Sequence, residues 1–287
     1  MKVRKYLAII AVLGFAASLT ACTSEPAPKV KVATNFAAGT TMARLHDAGA
    51  MTIATPFDQP LFGLAPAEGA DKTPAGFDVE MGKLIASKLG IAVDKITWVQ
   101  AVPDNRDALI VEKKADVVIA GSLITDASKQ TVAFAGPYYT HGQDLLVAAG
   151  NPAGIHGPQD LRGKAVCTIA GSSYGSVISQ YAVTLSGAPS AAECLPGVSN
   201  GSVVAVTADD VTLAGLAVTK PDKFQVLGNP FTAYSAGIAV AHDDDKFRSF
   251  INDVLEQSFG DGTWTKLWNA TAGSVLGDAQ PPLVNRY

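Results

Sequence analysis

Residues 76–120 read GFDVEMGKLIASKLGIAVDKITWVQAVPDNRDALIVEKKADVVIA. Met81, Leu84, Ile85 and Leu89 recur at helical spacing, which predicts an amphipathic helix over residues 78–89. Asp78 is placed to cap it and Gly90 to end it. Residues 96–99 alternate as a strand does, and residues 104–113 fit a second helix. Residues 116–120, DVVIA, form a short and nearly continuous apolar run, the kind buried on both faces of a parallel sheet. With a strand predicted at residues 51–55, the order is strand, helix, strand, helix, strand, which defines an α/β unit.

Outward from this stretch the alternation restarts after Gly150. Strands are predicted at residues 165–169, 203–207, 224–227 and 236–241, with helices at 175–185 and 211–219. Residues 246–259 and 263–269 read as helices, with Phe247, Phe250, Ile251, Val254 and Leu255 on one stripe. A short helix is expected over residues 39–48, stopped by Gly49, and residues 57–74 read as a proline-rich loop. Two α/β units with a helical end predict two lobes.

The chain has 287 residues, 48% hydrophobic and 17% charged, which excludes a disordered chain and supplies a sizeable core. Its formal net charge is −4, so it has no basic surplus with which to neutralise a phosphate backbone, and no nucleic-acid partner is expected.

Residues 1–21 have the layout of an export signal: Lys2, Arg4 and Lys5, then an apolar run over residues 6–19, then small residues. The run is shorter than the roughly 20 apolar residues of a membrane-spanning helix. Leu19-Thr20-Ala21-Cys22 resembles the lipobox of bacterial lipoproteins. That resemblance implies a lipidated Cys22, a polar tether over residues 22–39, and attachment to the extracytoplasmic face of the cell membrane. The alternative is an ordinary secretory signal with an incidental cysteine. Of the three cysteines, Cys167 and Cys194 remain once Cys22 carries lipid. An oxidising compartment favours a disulfide between them; two unpaired buried thiols are the alternative.

Several segments resemble, in order, those of family 3 extracellular solute-binding proteins, the receptors of polar amino-acid ABC importers. They are residues 76–90, then Asn105-Arg106 with Ala108-Leu109, then Ala115-Asp116-Val117-Val118. Gly136-Pro137-Tyr138-Tyr139, Asp160-Leu161-Arg162-Gly163-Lys164, Gly171-Ser172-Ser173 and Asp261-Gly262-Thr263-Trp264 follow. Phe57-Asp58-Gln59-Pro60 is similar to a loop of the glutamate-binding lipoproteins in that family. The resemblance implies an α/β, two-lobed, periplasmic-binding-protein-like (type II) clamp with two hinge crossings. Lobe 1 would be residues 40–139 plus 237–287 and lobe 2 residues 141–235. It further implies a monomeric receptor without cofactor, which hands a small polar ligand to an ABC-transporter permease and breaks no bond.

Ligands of open α/β sheets sit beyond the carboxyl ends of strands, which points to Asp58, Gly121-Ser122 with Leu123 following, Ser172-Ser173 and Asp209. The resemblance gives Asp209 to a ligand ammonium, with help from the Gly121 carbonyl; a plain helix cap is the other reading of Asp209. Ser172 and Ser173 precede a helix, where free N–H groups favour an anion or where the pair simply caps. Asp58 either meets a second ammonium or caps a turn. Relatives place arginine where Ser128 stands and often a hydroxyl where Leu123 stands. Arginine's planar fork holds a carboxylate bidentately, so another cation must substitute or the ligand is not a standard α-amino acid. Arg106 is the expected substitute, carried near the pocket in glutamate-binding relatives; a surface helix arginine is the bland alternative. Lys129 adjoins the lost position but is rotated away from it on a helix.

Three rival functions are weaker. Gly171-Ser172-Ser173-Tyr174-Gly175 matches the nucleophile elbow of a serine esterase, with Asp209 or Asp210 and then His242 in the right chain order. No HGG-type oxyanion loop precedes it, and His242 sits in a polar run. A metal receptor would have to use His46, His141, His156 and His242, whose spacing fits no metal motif, so no metal is expected. A sensory receptor would use the same clamp as a transporter subunit.

Overall fold

The computed structural model describes residues 35–66, 73–102 and 104–287. The segment expected to be an export signal, Cys22 and the expected tether through residue 34 lie outside the described residues.

The described residues open with α1 (Thr41–Ala48), β1 (Met51–Thr55), a small hairpin of β2 (Asp58–Gln59) and β3 (Gly63–Leu64), and α2 (Phe77–Lys88). Then come β4 (Ile96–Gln100), α3 (Arg106–Val111), β5 (Val117–Leu123) and the long β6 (Val132–His141). After Gly142 follow β7 (Gln143–Ala148), β8 (Ala165–Ile169), α4 (Ser173–Ser179), β9 (Thr184–Ala188) and α5 (Ala191–Asn200). Next are β10 (Ala205–Asp209), α6 (Asp210–Thr219), β11 (Phe224–Val226) and β12 (Tyr234–Ala241). The chain ends with α7 (Asp245–Gly260), α8 (Thr263–Asn269) and α9 (Gly273–Leu276).

Two five-stranded sheets result, in the orders β4-β1-β5-β12-β6 and β11-β7-β10-β8-β9. In the first, β1 runs parallel to β4 and β5, and β12 lies antiparallel between β5 and β6. In the second, β8 runs parallel to β9 and β10, while β7 is antiparallel to β10 and β11. The apolar run in β5 behaves as its composition requires. Val117 and Ile119 enter one core with Phe77, Ile85, Trp264 and Trp268, while Val118 and Ala120 enter another with Leu109 and Phe134. A strand alternates faces, and here both faces are covered by helices.

The chain passes between the sheets twice. β6 continues into β7 through Gly142, and the return runs from β11 to β12. These passages lie side by side, with Tyr234 paired to His141 and the Gln143 N–H donating to Thr232 Oγ1 at 2.7 Å. A β-carbon at Gly142 would collide with the Thr232 carbonyl oxygen, so only glycine lets the passages approach this closely.

Several elements differ from expectation: the sequence reading has no strand at β6 or β7, and the loop expected over residues 57–74 carries the β2–β3 hairpin. Asp78 does not cap α2: the N-cap is Gly76, and Asp78 lies buried in the first turn. Most of the α2 circumference is covered, so the charge of Asp78 reports an interior contact instead of an end. The helix expected over residues 175–185 stops at Ser179, and β9 follows as an exposed edge strand with no apolar alternation to betray it. The sequence pattern also concealed α5, whose buried Ala191, Cys194, Leu195 and Val198 fall at helical spacing around the helix breakers Pro196 and Gly197.

Cys167 of β8 is disulfide-bonded to Cys194 of α5, with Cα atoms 5.7 Å apart and both side chains buried. The bridge closes a sequence separation of 27 residues. Loop-closure entropy sets the expected cost of a Cys167→Ala/Cys194→Ala double variant at about 3–4 kcal/mol, read from the urea midpoint. An unchanged midpoint would show that the bridge constrains nothing.

Candidate functional site

Beside the two passages lies a cleft of about 330 Å³. From the first sheet it receives Gly121 and Leu123 at the end of β5 and Tyr138, Tyr139 and His141 from β6. The second sheet and its helices add Asp209, which ends β10, Thr212 of α6 and Tyr174 of α4. Gln59, Asp78 and Arg106 complete the polar lining.

Tyr138 and Tyr139 are adjacent in β6, both line the cleft and pack against Phe77, and their phenols reach two different buried carboxyls. The Tyr138 hydroxyl donates to Asp78 Oδ1 at 2.6 Å and accepts the Gly121 N–H at 3.1 Å. Gly121 has φ +62°, which suits glycine and aims that N–H at the phenol. The Tyr139 hydroxyl donates to Asp210 Oδ2 at 2.8 Å. Burial pushes Asp78 up to about 7, against the lowering effects of the Tyr138 hydrogen bond and of Arg106. Burial likewise lifts Asp210 to about 7, with the Tyr139 bond opposing and the charge of Asp209 adding to the rise. Burial and these carboxyl partners push both phenols up.

Asp209 serves two roles. As N-cap of α6 its Oδ1 accepts the Thr212 N–H at 2.8 Å, and its Oδ2 accepts the Thr212 hydroxyl at 2.9 Å and the Tyr174 hydroxyl at 3.2 Å. It lines the cleft while doing so. Arg106 begins α3, and its Nε is buried without a hydrogen-bond partner. Among the described residues its guanidinium forms no ion pair. His141 stacks on Tyr139 with ring centroids 5.9 Å apart and tilts against Tyr234 at 5.8 Å. Both of its ring nitrogens are buried and unpartnered. Burial lowers its pKa; the charge of Asp209 raises it and that of Arg106 lowers it further.

Of the residues singled out from sequence, Arg106, Gly121, Leu123 and Asp209 therefore meet in one cleft. The others do not line it. Asp58 is exposed on β2, and alternation turns its neighbour Gln59 inward. Ser122 lines an adjoining recess that Arg106, Leu123 and Ser128 also border. The Ser172 hydroxyl donates to the Ile169 carbonyl at 2.6 Å, Ser173 is exposed, and Tyr174 reaches the cleft in their place. Ser128 ties its own turn together, donating to the Leu123 or Thr125 carbonyl and accepting the Thr125 N–H. Lys129 is spent elsewhere, over the Tyr287 ring at 4.3 Å and beside Asp126 at 3.8 Å. The sequence reading missed Asp78, Tyr138, Tyr139, His141 and Tyr174 as cleft residues. Tyr138 and Tyr139 stood in a quoted motif, but nothing in the sequence distinguished them from core aromatics.

No esterase triad is assembled among the described residues: His242 pairs with Asp243 on an exposed turn, and Asp209 is bound to Thr212 and Tyr174. The other histidines are scattered too, with His46 Nδ1 on the Leu89 carbonyl.

Comparison with known proteins agrees with the architecture. The fold is the two-lobed α/β clamp of type II periplasmic amino-acid-binding proteins. Residues 51–271 match the bacterial extracellular solute-binding proteins, family 3, and the chain belongs to that family. It is 29% identical over 239 residues to the glutamate-binding protein GluB of Corynebacterium glutamicum, covering 78% of this chain and 79% of that one. It is 28% identical over 232 residues to the ABC transporter glutamine-binding protein GlnH of Bacillus subtilis, covering 79% and 83%. Among solved structures, an ancestral cationic amino acid solute-binding protein superimposes with a TM-score of 0.67 at 25% identity, covering 80% of this chain and 99% of that one.

Proposed function

We propose that this protein is a lipid-anchored extracytoplasmic receptor that captures a small zwitterionic ligand, an amino acid or close derivative, and delivers it to an ABC importer. Residues 40–139 with 237–287 and residues 141–235 act as lobes that close by hinge motion at the paired passages. Cys22 carries the lipid. The observation that carries this reading is the cleft's two poles. Arg106 offers a guanidinium that forms no ion pair among the described residues and whose Nε is buried without a partner there, and Asp209 offers a carboxylate from the other sheet unit. A zwitterion satisfies both, and its neutralisation of Arg106 offsets the cost of holding that cation partly buried.

Calorimetry tests it. Amino-acid binding should weaken by about 2–5 kcal/mol in Arg106→Gln, the usual cost of removing one partner of a buried charge pair. An unaltered affinity would remove Arg106 from the site.

A further inference from the structure

We infer that the ligand is a monocarboxylic amino acid with an uncharged, hydrogen-bonding side chain, and that His141 reads that side chain. The inference rests on the receptor reading above and narrows its substrate class.

Charge comes first. Among the described residues, the acidic, basic and imidazole side chains lining the cleft are Asp78, Arg106, His141 and Asp209. One guanidinium and one carboxylate, Asp209, whose hydrogen bonds come from uncharged groups of Thr212 and Tyr174 and leave its charge without a cation partner among the described residues, match one carboxylate and one ammonium. A dicarboxylic ligand would bring a second anion into a cleft with no second strong cation, since Lys129 is held at Tyr287 and Ser128 replaces the arginine. A dibasic ligand would need Asp78 as its second anion. Asp78 already accepts the Tyr138 hydroxyl, and Arg106 lies close enough to act on its charge. A second cation placed there would be repelled by that guanidinium.

His141 supplies the rest. Its imidazole is clamped between Tyr139 and Tyr234, in the fields of both Arg106 and Asp209, and neither ring nitrogen finds a protein partner. Buried polar atoms are rarely left this way. A neutral imidazole presents one donor and one acceptor, the complement of a carboxamide or hydroxyl. Burial favours that neutral form.

The test is calorimetry with glutamine, asparagine, serine, glutamate, arginine and leucine on the wild type and on His141→Phe, which keeps a ring to stack but has no nitrogen. At least one uncharged polar amino acid should bind about 100-fold more tightly than glutamate or arginine. His141→Phe should lose at least about tenfold for that ligand while leucine does not weaken, and His141→Gln should restore part of the loss. Equal or tighter binding of glutamate or arginine would overturn the inference and leave the receptor reading standing. So would a His141→Phe protein with unchanged preferences. Failure of all six to bind would overturn the receptor reading and this inference together.

Discussion

Asp209→Asn is expected to leave the fold intact and to remove most of the ligand affinity. The two roles of Asp209 make this variant more informative than alanine. Asparagine is as good an N-cap as aspartate, so the bond from the Thr212 N–H survives and α6 keeps its start. Alanine would forfeit the cap as well, about 1 kcal/mol of stability, and mix a folding defect with a binding defect. What asparagine removes is the negative charge, together with the Oδ2 acceptor of the Thr212 and Tyr174 hydroxyls, which must turn to accept from the amide instead. A ligand ammonium brought into the cleft then meets a neutral amide, at a cost of about 2–5 kcal/mol, or roughly thirtyfold to several thousandfold in Kd. The check pairs calorimetry with thermal melts. A near-native melt with lost affinity supports the assignment, and native affinity in Asp209→Asn would reduce Asp209 to a cap.

The ease with which the fold was read and the difficulty of the site have one physical origin. Helices α2, α7 and α8 and strands β1, β5 and β8 announce themselves because burial on a defined face imposes a period. Edge strand β9 is exposed and carries no such imprint, and α5 hides behind Pro196 and Gly197. At the site, strand ends were the right places to look, yet alternation decides which of two neighbours faces the cleft. Gln59 displaces Asp58 and Gly121 displaces Ser122 for that reason alone. Tyr174 displaces Ser173 because a helix turns each successive side chain by about 100°. Asp78 was legible as a helix-start residue and misread as a cap, because the same aspartate in the same position serves either purpose. Only the phenol of Tyr138, 60 residues away in sequence, separates the two readings.

That phenol leads to the second large effect, on stability. Asp78 and Asp210 titrate near 7 in the folded chain, against about 3.9 in an unfolded one. Both are raised, so between pH 4 and 7 the native state holds protons that the unfolded state has released. The stability tied to these groups is complete below about pH 4 and is lost as pH rises through 7. Each contributes a slope of up to about 1.4 kcal/mol per pH unit in that window, on the order of a few kcal/mol for each group. Asp144 is raised as well and adds to the trend, buried His141 is lowered and opposes it below about pH 6.5, and the lowered Glu256 and Asp261 are largely solvated and count for little. Asp78→Asn isolates the effect: its carbonyl still accepts the Tyr138 hydroxyl, and no charge ever forms. Its urea stability should fall less steeply from pH 5 to 8 than that of the wild type, and at pH 8 it should exceed the wild type by roughly 2–4 kcal/mol. Parallel pH profiles for the two proteins would mean that Asp78 is not a proton-holding group. Both carboxyls accept from Tyr138 and Tyr139, the aromatic pair of β6 that precedes the first passage to the second sheet, so the same protons bear on the lining of the cleft.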